Sequence, residues 1–328
     1  MMNSLNYAKY IKPLKSFQLI TRYCLIESPY WKSFLEHYKS LGVTLFHICV
    51  QTNEDEEDFK NKFKSSCPNF KIHRINSKIT PNKALKEFNC KLLDPNLKNT
   101  LLVDSDEFIE IYQFDKWFEK LNASFDLKIQ WSMNMLENIF EDNSKGFFGH
   151  ATKPACRTEL IRKIRSDHRF DLIGFRRNFK NNHLDKSFYI SLIAKYKMPN
   201  SVLIHYWSRS IEDVILRTIF SRFKSFKQSD QSEFFSKIKS GELPYRLKMM
   251  AYLNIQKEYL ELNYKFRSEY FDKNLESELL RSFGVTEILI DDIYKLYFEF
   301  KEKLLQNKKL PRYPSIFCTD MQKMKNYI

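Results

Sequence analysis

The sequence predicts an α/β fold, a mostly parallel, doubly wound sheet with a helical C-terminal extension, and three observations predict it. Apolar, strand-like runs alternate with helix-like segments from Phe17 to Val103, the pattern that wraps helices over both faces of a parallel sheet. The connections between them are short. From about Ser210 onward the pattern turns helical, with few turn residues.

Residues Phe17 to Ile26 (FQLITRYCLI) read as the first strand. Glu27-Ser28-Pro29 starts a helix, because Ser caps and Pro suits the first turn. Trp31, Phe34, Leu35 and Tyr38 recur at helical spacing before Gly42 stops the run. Val43 to Val50 is the second strand, followed by the acidic turn Asn53 to Asp58 and a helix to about Ser65. Phe70 to Ile75 is the third strand, and Thr80-Pro81 opens a helix ending near Leu93. The fourth strand, Leu101 to Val103, runs straight into acids. Beyond them the pattern predicts a helix around Phe114 to Leu121, a strand over Asp126 to Met133, and a loop-rich stretch from Glu137 to Lys153. Short strands and turns then alternate from Pro154, closing with the apolar run SVLIH at Ser201 to His205. The boundaries are 1–208 for the sheet domain and 209–328 for the extension.

The stretch TLLVDSDEFIE, Thr100 to Glu110, organises the rest. An apolar run bounded by polar residues reads as a fully buried strand of a parallel sheet. Asp104, Asp106 and Glu107 then fall at its C-terminal end, the edge where open α/β sheets bind ligands. Carboxylates there can hold a hard divalent cation, and such a cation neutralises a diphosphate. An Asp-rich turn also caps whatever follows it, so Glu107 has a capping role open to it.

Composition narrows the classes. The chain has 328 residues, 16% aromatic, with only 6 Gly and neither GxGxxG nor GxxxxGK[ST]. A phosphate would therefore be met by a metal or by basic side chains. The six cysteines, Cys24, Cys49, Cys67, Cys90, Cys156 and Cys318, form no CxxC pair and no zinc spacing, so buried thiols in a reducing compartment are expected. No stretch approaches the apolar length of a membrane span, and the first residues lack the apolar core of a signal peptide. The expected location is cytoplasmic. A net charge of +14 suits anionic partners in general, but the lysines are spread along the chain without a tight basic tract.

Four segments in order resemble nucleotide-diphospho-sugar glycosyltransferases of the GT-A fold, nearest to the bacterial family 2-like group and its relatives in family 92. They are Arg22 leading into WKSFLEHYKSLGV, the acidic motif LLVDSDEF, KPACRTELI, and HYWSRSIEDVILRTI. The resemblance covers roughly residues 15 to 225. It implies a GT-A domain, a metal-dependent transfer of sugar from a nucleotide donor, a UDP-sugar by preference, and an acceptor that is a surface glycan or its lipid-linked precursor.

Under that resemblance Asp106 is the direct metal ligand, and Asp104 meets the ribose, the metal or metal-bound water. His205, ending an apolar strand, completes the site, and its imidazole suits Mn²⁺ better than Mg²⁺. Arg22, Lys153 and Arg157 are the cations for the nucleotide or its diphosphate. An inverting transfer needs a base near the acceptor to take its proton, with Asp167 the first choice and Glu137 the second; a retaining transfer needs none. Arg209, Arg217, Arg222, Lys224 and Lys227 alternate with Ile215, Ile219, Phe220, Phe223 and Phe226. That pattern suits either a helix packed on the core or one lying on the inner membrane face. Two rival classes remain: a nucleic-acid-associated protein using the positive charge, and a sugar nucleotidyltransferase, which would release pyrophosphate.

Overall fold

The computed structural model describes residues 17–66, 69–111, 131–138, 145–166, 169–173, 201–206, 209–220, 228–255, 260–261 and 272–306. Eleven strands and eight α-helices occur among them, in mixed α/β order with helices at the C-terminal end. The first half alternates: β1 (Phe17–Arg22), α1 (Ser28–Ser40), β2 (Val43–Val50), α2 (Asn53–Phe63), β3 (Phe70–Arg74), α3 (Pro81–Leu85), β4 (Asn99–Leu102) and β5 (Glu107–Ile111). There follow β6 (Trp131–Asn138), β7 (Lys145–Arg157), the hairpin β8 (Ile161–Ser166) and β9 (Arg169–Leu172), and β10 (Ser201–Tyr206). The rest is α4 (Ile211–Ile219), α5 (Gln228–Lys239), α6 (Tyr245–Asn254), β11 (Leu260–Glu261), α7 (Lys273–Ser282) and α8 (Glu287–Gln306). No helix among the described residues is long and apolar enough to cross a membrane.

The main sheet has the order β3-β2-β1-β4-β7-β6-β10-β5, with β11 against β7. Strands β1, β2, β3, β4, β6 and β10 run one way, and β7 and β5 run against them. The chain builds outward from β1 to β2 and β3, then returns to lay β4 on the other side of β1. That reversal is a topological switch point, where loops diverge at the C-terminal ends and leave a crevice. Leu101, Ala155 and Trp131 lie side by side across β4, β7 and β6, whereas β10 joins β6 only in the Leu203 to Met135 register and beyond. Strands β10 and β5 therefore extend the sheet past the C-terminal end of β4.

Local chemistry accounts for the helices. In α1, Pro29 sits in the first turn, and Tyr30, Trp31, Phe34, Leu35 and Tyr38 are buried along one side of the helix. Burial of each large side chain is worth about 1.5–3 kcal/mol. The helix stops where Gly42 takes φ 90, a left-handed conformation that glycine adopts without strain. The Thr52 and Ser210 side chains cap α2 and α4 by accepting from Asp55 N and Asp213 N.

The sequence-based elements need four corrections. The first strand ends at Arg22, and Leu25–Glu27 is a 3₁₀ turn. The expected helix to Leu93 is only Pro81–Leu85, because the Asn89 side chain accepts from Lys91 N and starts a 3₁₀ turn instead. An additional strand, β5, begins at Glu107, directly after the acidic turn. The stretch expected to be loop-rich is the β6–β7 pair, held by cross-strand partners such as Leu136 and Phe148, since strand formation depends on neighbours more than on local composition. The strand expected at Asp126 to Met133 is described from Trp131 onward. The helix expected around Phe114 to Leu121 lies outside the described residues, as do Cys67 and Cys318. None of the four described cysteines is in a disulfide, and burial pushes Cys49 up to about 12.

Two clusters of buried apolar residues form the core, one from Phe17 to Tyr206 and one from Ile211 to Leu304. They are joined by polar groups centred on the buried Glu276 and Arg209. The Tyr30 hydroxyl and Ser210 Oγ both donate to Glu276 Oε1, Arg209 stacks 3.7 Å over the Tyr30 ring, and Asp272 N donates to Pro29 O. Burial, with added repulsion from Asp213 and Glu212, pushes the Glu276 carboxyl up to about 8 from its ordinary 4.5. The folded chain therefore keeps this proton while the unfolded chain loses it, so the contribution to stability falls as pH rises from about 4.5 to about 8. Glu276→Gln, which retains the acceptor oxygen, is expected to gain on wild type across that window, by on the order of a few kcal/mol at pH 8. Urea denaturation at pH 5 and pH 8 measures it.

Candidate active site at the C-terminal edge of the sheet

Strand β4 is buried along its whole length, and Val103 N still donates to Ile20 O. The chain then turns, with Glu107 N donating to Asp104 O and the Glu107 carboxylate accepting from Asp104 N at 2.6 Å. Glu107 thus caps a turn into β5 and not a helix. Helix α1 supports this turn from one side. The Tyr38 hydroxyl donates to Glu107 O at 2.8 Å and the His37 ring lies 3.0 Å from Ile109 O. Burial brings His37 down to about 4, so it is neutral and donates through Nε2.

The two aspartates face different cations. Asp104 Oδ1 takes the Arg22 guanidinium, with Nε at 2.8 Å, and Asp104 Oδ2 takes Lys153 Nζ at 2.6 Å. Lys153, 1% exposed, also reaches Glu107 Oε1 at 3.2 Å. Arg22 further donates to Asn82 Oδ1, so β1, β4, β7 and the start of α3 meet at the switch point. Burial opposes the Asp104 charge, but Arg22 and Lys153 outweigh it and hold the carboxyl well below its usual range. Burial likewise opposes the Lys153 charge, and Asp104 and Glu107 raise it above its ordinary value. Glu107 goes the other way: burial, only partly offset by Lys153, pushes it up to about 8.

Asp106 is 6% exposed. Its Oδ2 lies 3.5 Å from His205 Nε2 and 2.9 Å from Arg217 Nη1. Burial works against its charge, and His205 and Arg217 more than compensate, holding it well below its usual range. Tyr206 N donates to Asp106 O at 2.8 Å, which pins the turn to β10. Arg217 also donates from Nε to Asp213 at 2.8 Å and from Nη2 to Glu27 at 3.3 Å, and Arg209 Nη2 donates to Glu27 at 2.9 Å. The acids of the sheet edge are thereby tied to α4.

Asp106, Glu107 and His205 each offer a ligand atom, all within 4.8 Å of one another. Two carboxylate oxygens and one imidazole nitrogen form a donor set that fits a divalent ion of the Mn²⁺ type. In the sheet register His205 stands between Glu107 on β5 and Glu137 on β6. Asp104 is not in this group; its two oxygens meet Arg22 and Lys153.

Of the residues singled out in the sequence, Arg22, Asp104, Asp106, Lys153 and His205 converge at this edge. Glu137 reaches the same level by backbone register. Arg157 does not: it pairs with Asn99 at the opposite end of β4 and lies 3.4 Å from Glu159. Its assignment to the diphosphate is corrected on that ground. Asp167 lies outside the described residues, as do Arg222, Phe223, Lys224, Phe226 and Lys227. Of the two readings of the basic, aromatic stretch, Arg209 and Arg217 fit packing on the core, because both are held against acids with side chains at most 9% exposed. Arg217, Glu27 and Asp213 were missed as members of the site. The available signal was Asp213 and Arg217 four residues apart within a helix otherwise rich in Ile, Val and Leu.

No protein-family model matches the sequence, and no curated protein matches it. Among solved structures, the chain is similar to crystal structures of residues 1–349 of S. aureus TarS. That without a named ligand has TM-score 0.28 at 11% identity, covering 88% of this chain and 91% of that one. The complex with UDP-GlcNAc has TM-score 0.27 at 12% identity over 88% and 91%. The complex with UDP has TM-score 0.28 at 15% identity over 92% and 99%. A likeness at these scores carries no argument by itself.

Lys153→Met leaves Asp104 and Glu107 without their buried ammonium, and removal of one partner of a buried pair costs about 3–5 kcal/mol. Arg157→Met, at the far end of β4 and partly exposed, is expected to stay within about 0.5 kcal/mol of wild type. Urea midpoints at unchanged m-value report both.

Proposed function

We propose that the chain is a metal-dependent glycosyltransferase of the GT-A type. It would move a sugar from a nucleoside-diphosphate donor, a UDP-sugar, to a hydroxyl of a cell-surface glycan or its lipid-linked precursor on the cytoplasmic side. One observation carries the reading: the donor set of Asp106, Glu107 and His205 stands at the same C-terminal sheet edge where Arg22, Asn82 and Asp104 meet at the switch point. A divalent ion bound there would supply Lewis-acid stabilisation of the leaving diphosphate. Arg22 and Lys153 would hold Asp104 ionised for the ribose. Glu137, level with His205 in the sheet register, is the acceptor base in this scheme, with Asp167 the alternative. The sugar and acceptor classes rest on the four-segment resemblance.

The nucleotidyltransferase reading predicts a different product, pyrophosphate in place of a nucleoside diphosphate. The nucleic-acid reading needs cations open to phosphate, yet Arg22, Lys153, Arg209 and Arg217 at this edge are paired with acids.

Thermal shift against UDP, GDP, CDP and ADP, with Mn²⁺ or with EDTA, tests the proposal. One nucleoside diphosphate is expected to raise Tm only with Mn²⁺, and Asp106→Asn to abolish the rise. Equal shifts in EDTA would contradict it.

A further inference from the structure

Among the described residues, Arg217 of α4 is the cation of the C-terminal helices that reaches Asp106, and it holds the atom an ion would need. Its side chain is 9% exposed and is anchored twice away from the ion ligands, by Nε to Asp213 and by Nη2 to Glu27. The remaining nitrogen, Nη1, lies 2.9 Å from Asp106 Oδ2, the same oxygen that lies 3.5 Å from His205 Nε2. Two consequences follow from elementary electrostatics. A carboxylate this deeply buried needs a countercharge whenever no ion is present, because an unpaired buried charge is strongly destabilising. A guanidinium at hydrogen-bond distance also repels a divalent ion arriving at that oxygen, the more so in a medium of low dielectric.

We infer that Arg217 is the resident countercharge of the ion site. It occupies Asp106 in the ion-free protein and gives up that contact when the ion binds, while Asp213 and Glu27 keep the side chain in place. It is a positioning residue acting through Asp106. The stability of the empty site and its affinity for the ion are therefore opposed through one side chain. The inference rests on the ion-site reading above and adds to it the competition between α4 and the ion.

A merely structural arginine would move stability and affinity in the same direction, so the sign of the change decides. The test is Mn²⁺ alone titrated into the full chain, with free Mn²⁺ read from its EPR signal, beside the Tm of each protein in EDTA. Arg217→Met is expected to melt lower in EDTA, yet bind Mn²⁺ about tenfold more tightly, a change of about 1.4 kcal/mol. The double variant Arg217→Met/Asp213→Asn removes one charge of each sign, leaves the Arg209–Glu27 pair intact, guards against unfolding of the single variant, and is expected to show the same tightening. Equal or weaker Mn²⁺ binding by either folded variant, with wild type binding the ion, overturns the inference alone. Failure of wild type and both variants to bind Mn²⁺ overturns the ion site itself, and the inference with it.

Discussion

Burial of negative charge at the end of one strand is the constraint on which this structure depends. Asp104, Asp106 and Glu107 follow β4 directly and are almost excluded from water. Carboxylates so placed are tolerated only with partners. The partners come from separate parts of the chain: Arg22 at the end of β1, Lys153 in β7, His205 in β10 and Arg217 in α4. Each pair joins an element to the sheet edge, so the same charges that suit a ligand also fix how the strands and the C-terminal helices meet.

The network carries its own countercharges without any ion. Arg22, Lys153, Arg209 and Arg217 stand against Asp104, Asp106, Glu27 and Asp213. A divalent ion bound here would therefore displace existing pairs and would not fill a bare acidic pocket. The helices after residue 209 belong to this edge through Arg209 and Arg217. Basic residues that suggest a surface patch in the linear sequence are, at these two positions, interior ion pairs.

Much of the β-α alternation was legible because it depends on local signals. Ser28-Pro29 and Gly42 bracket α1, and the apolar run before Asp104 can only be a buried strand. His205 was legible as the polar stop of another apolar run. Strand β5 was not, since what makes Glu107 to Ile111 a strand is pairing with β10, about ninety residues away in sequence. The β6–β7 pair was hidden for the same reason. Alternation along the chain also says nothing about which aspartate faces which cation. That depends on the turn closed by Glu107, which sends Asp104 toward β1 and β7 and Asp106 toward β10 and α4. Arg157 shows the converse: it follows Lys153 closely in sequence, yet the length of β7 carries it to the other end of the sheet.

The central claim is that the acids after β4 and the imidazole at the end of β10 form a divalent-ion site. Anomalous X-ray diffraction from Mn²⁺-soaked crystals of the full chain measures it directly. The account predicts one manganese peak within ligand distance, about 2.0–2.3 Å, of Asp106 and His205, with Arg217 drawn off Asp106. A peak elsewhere on the protein, or none at this edge, would contradict it.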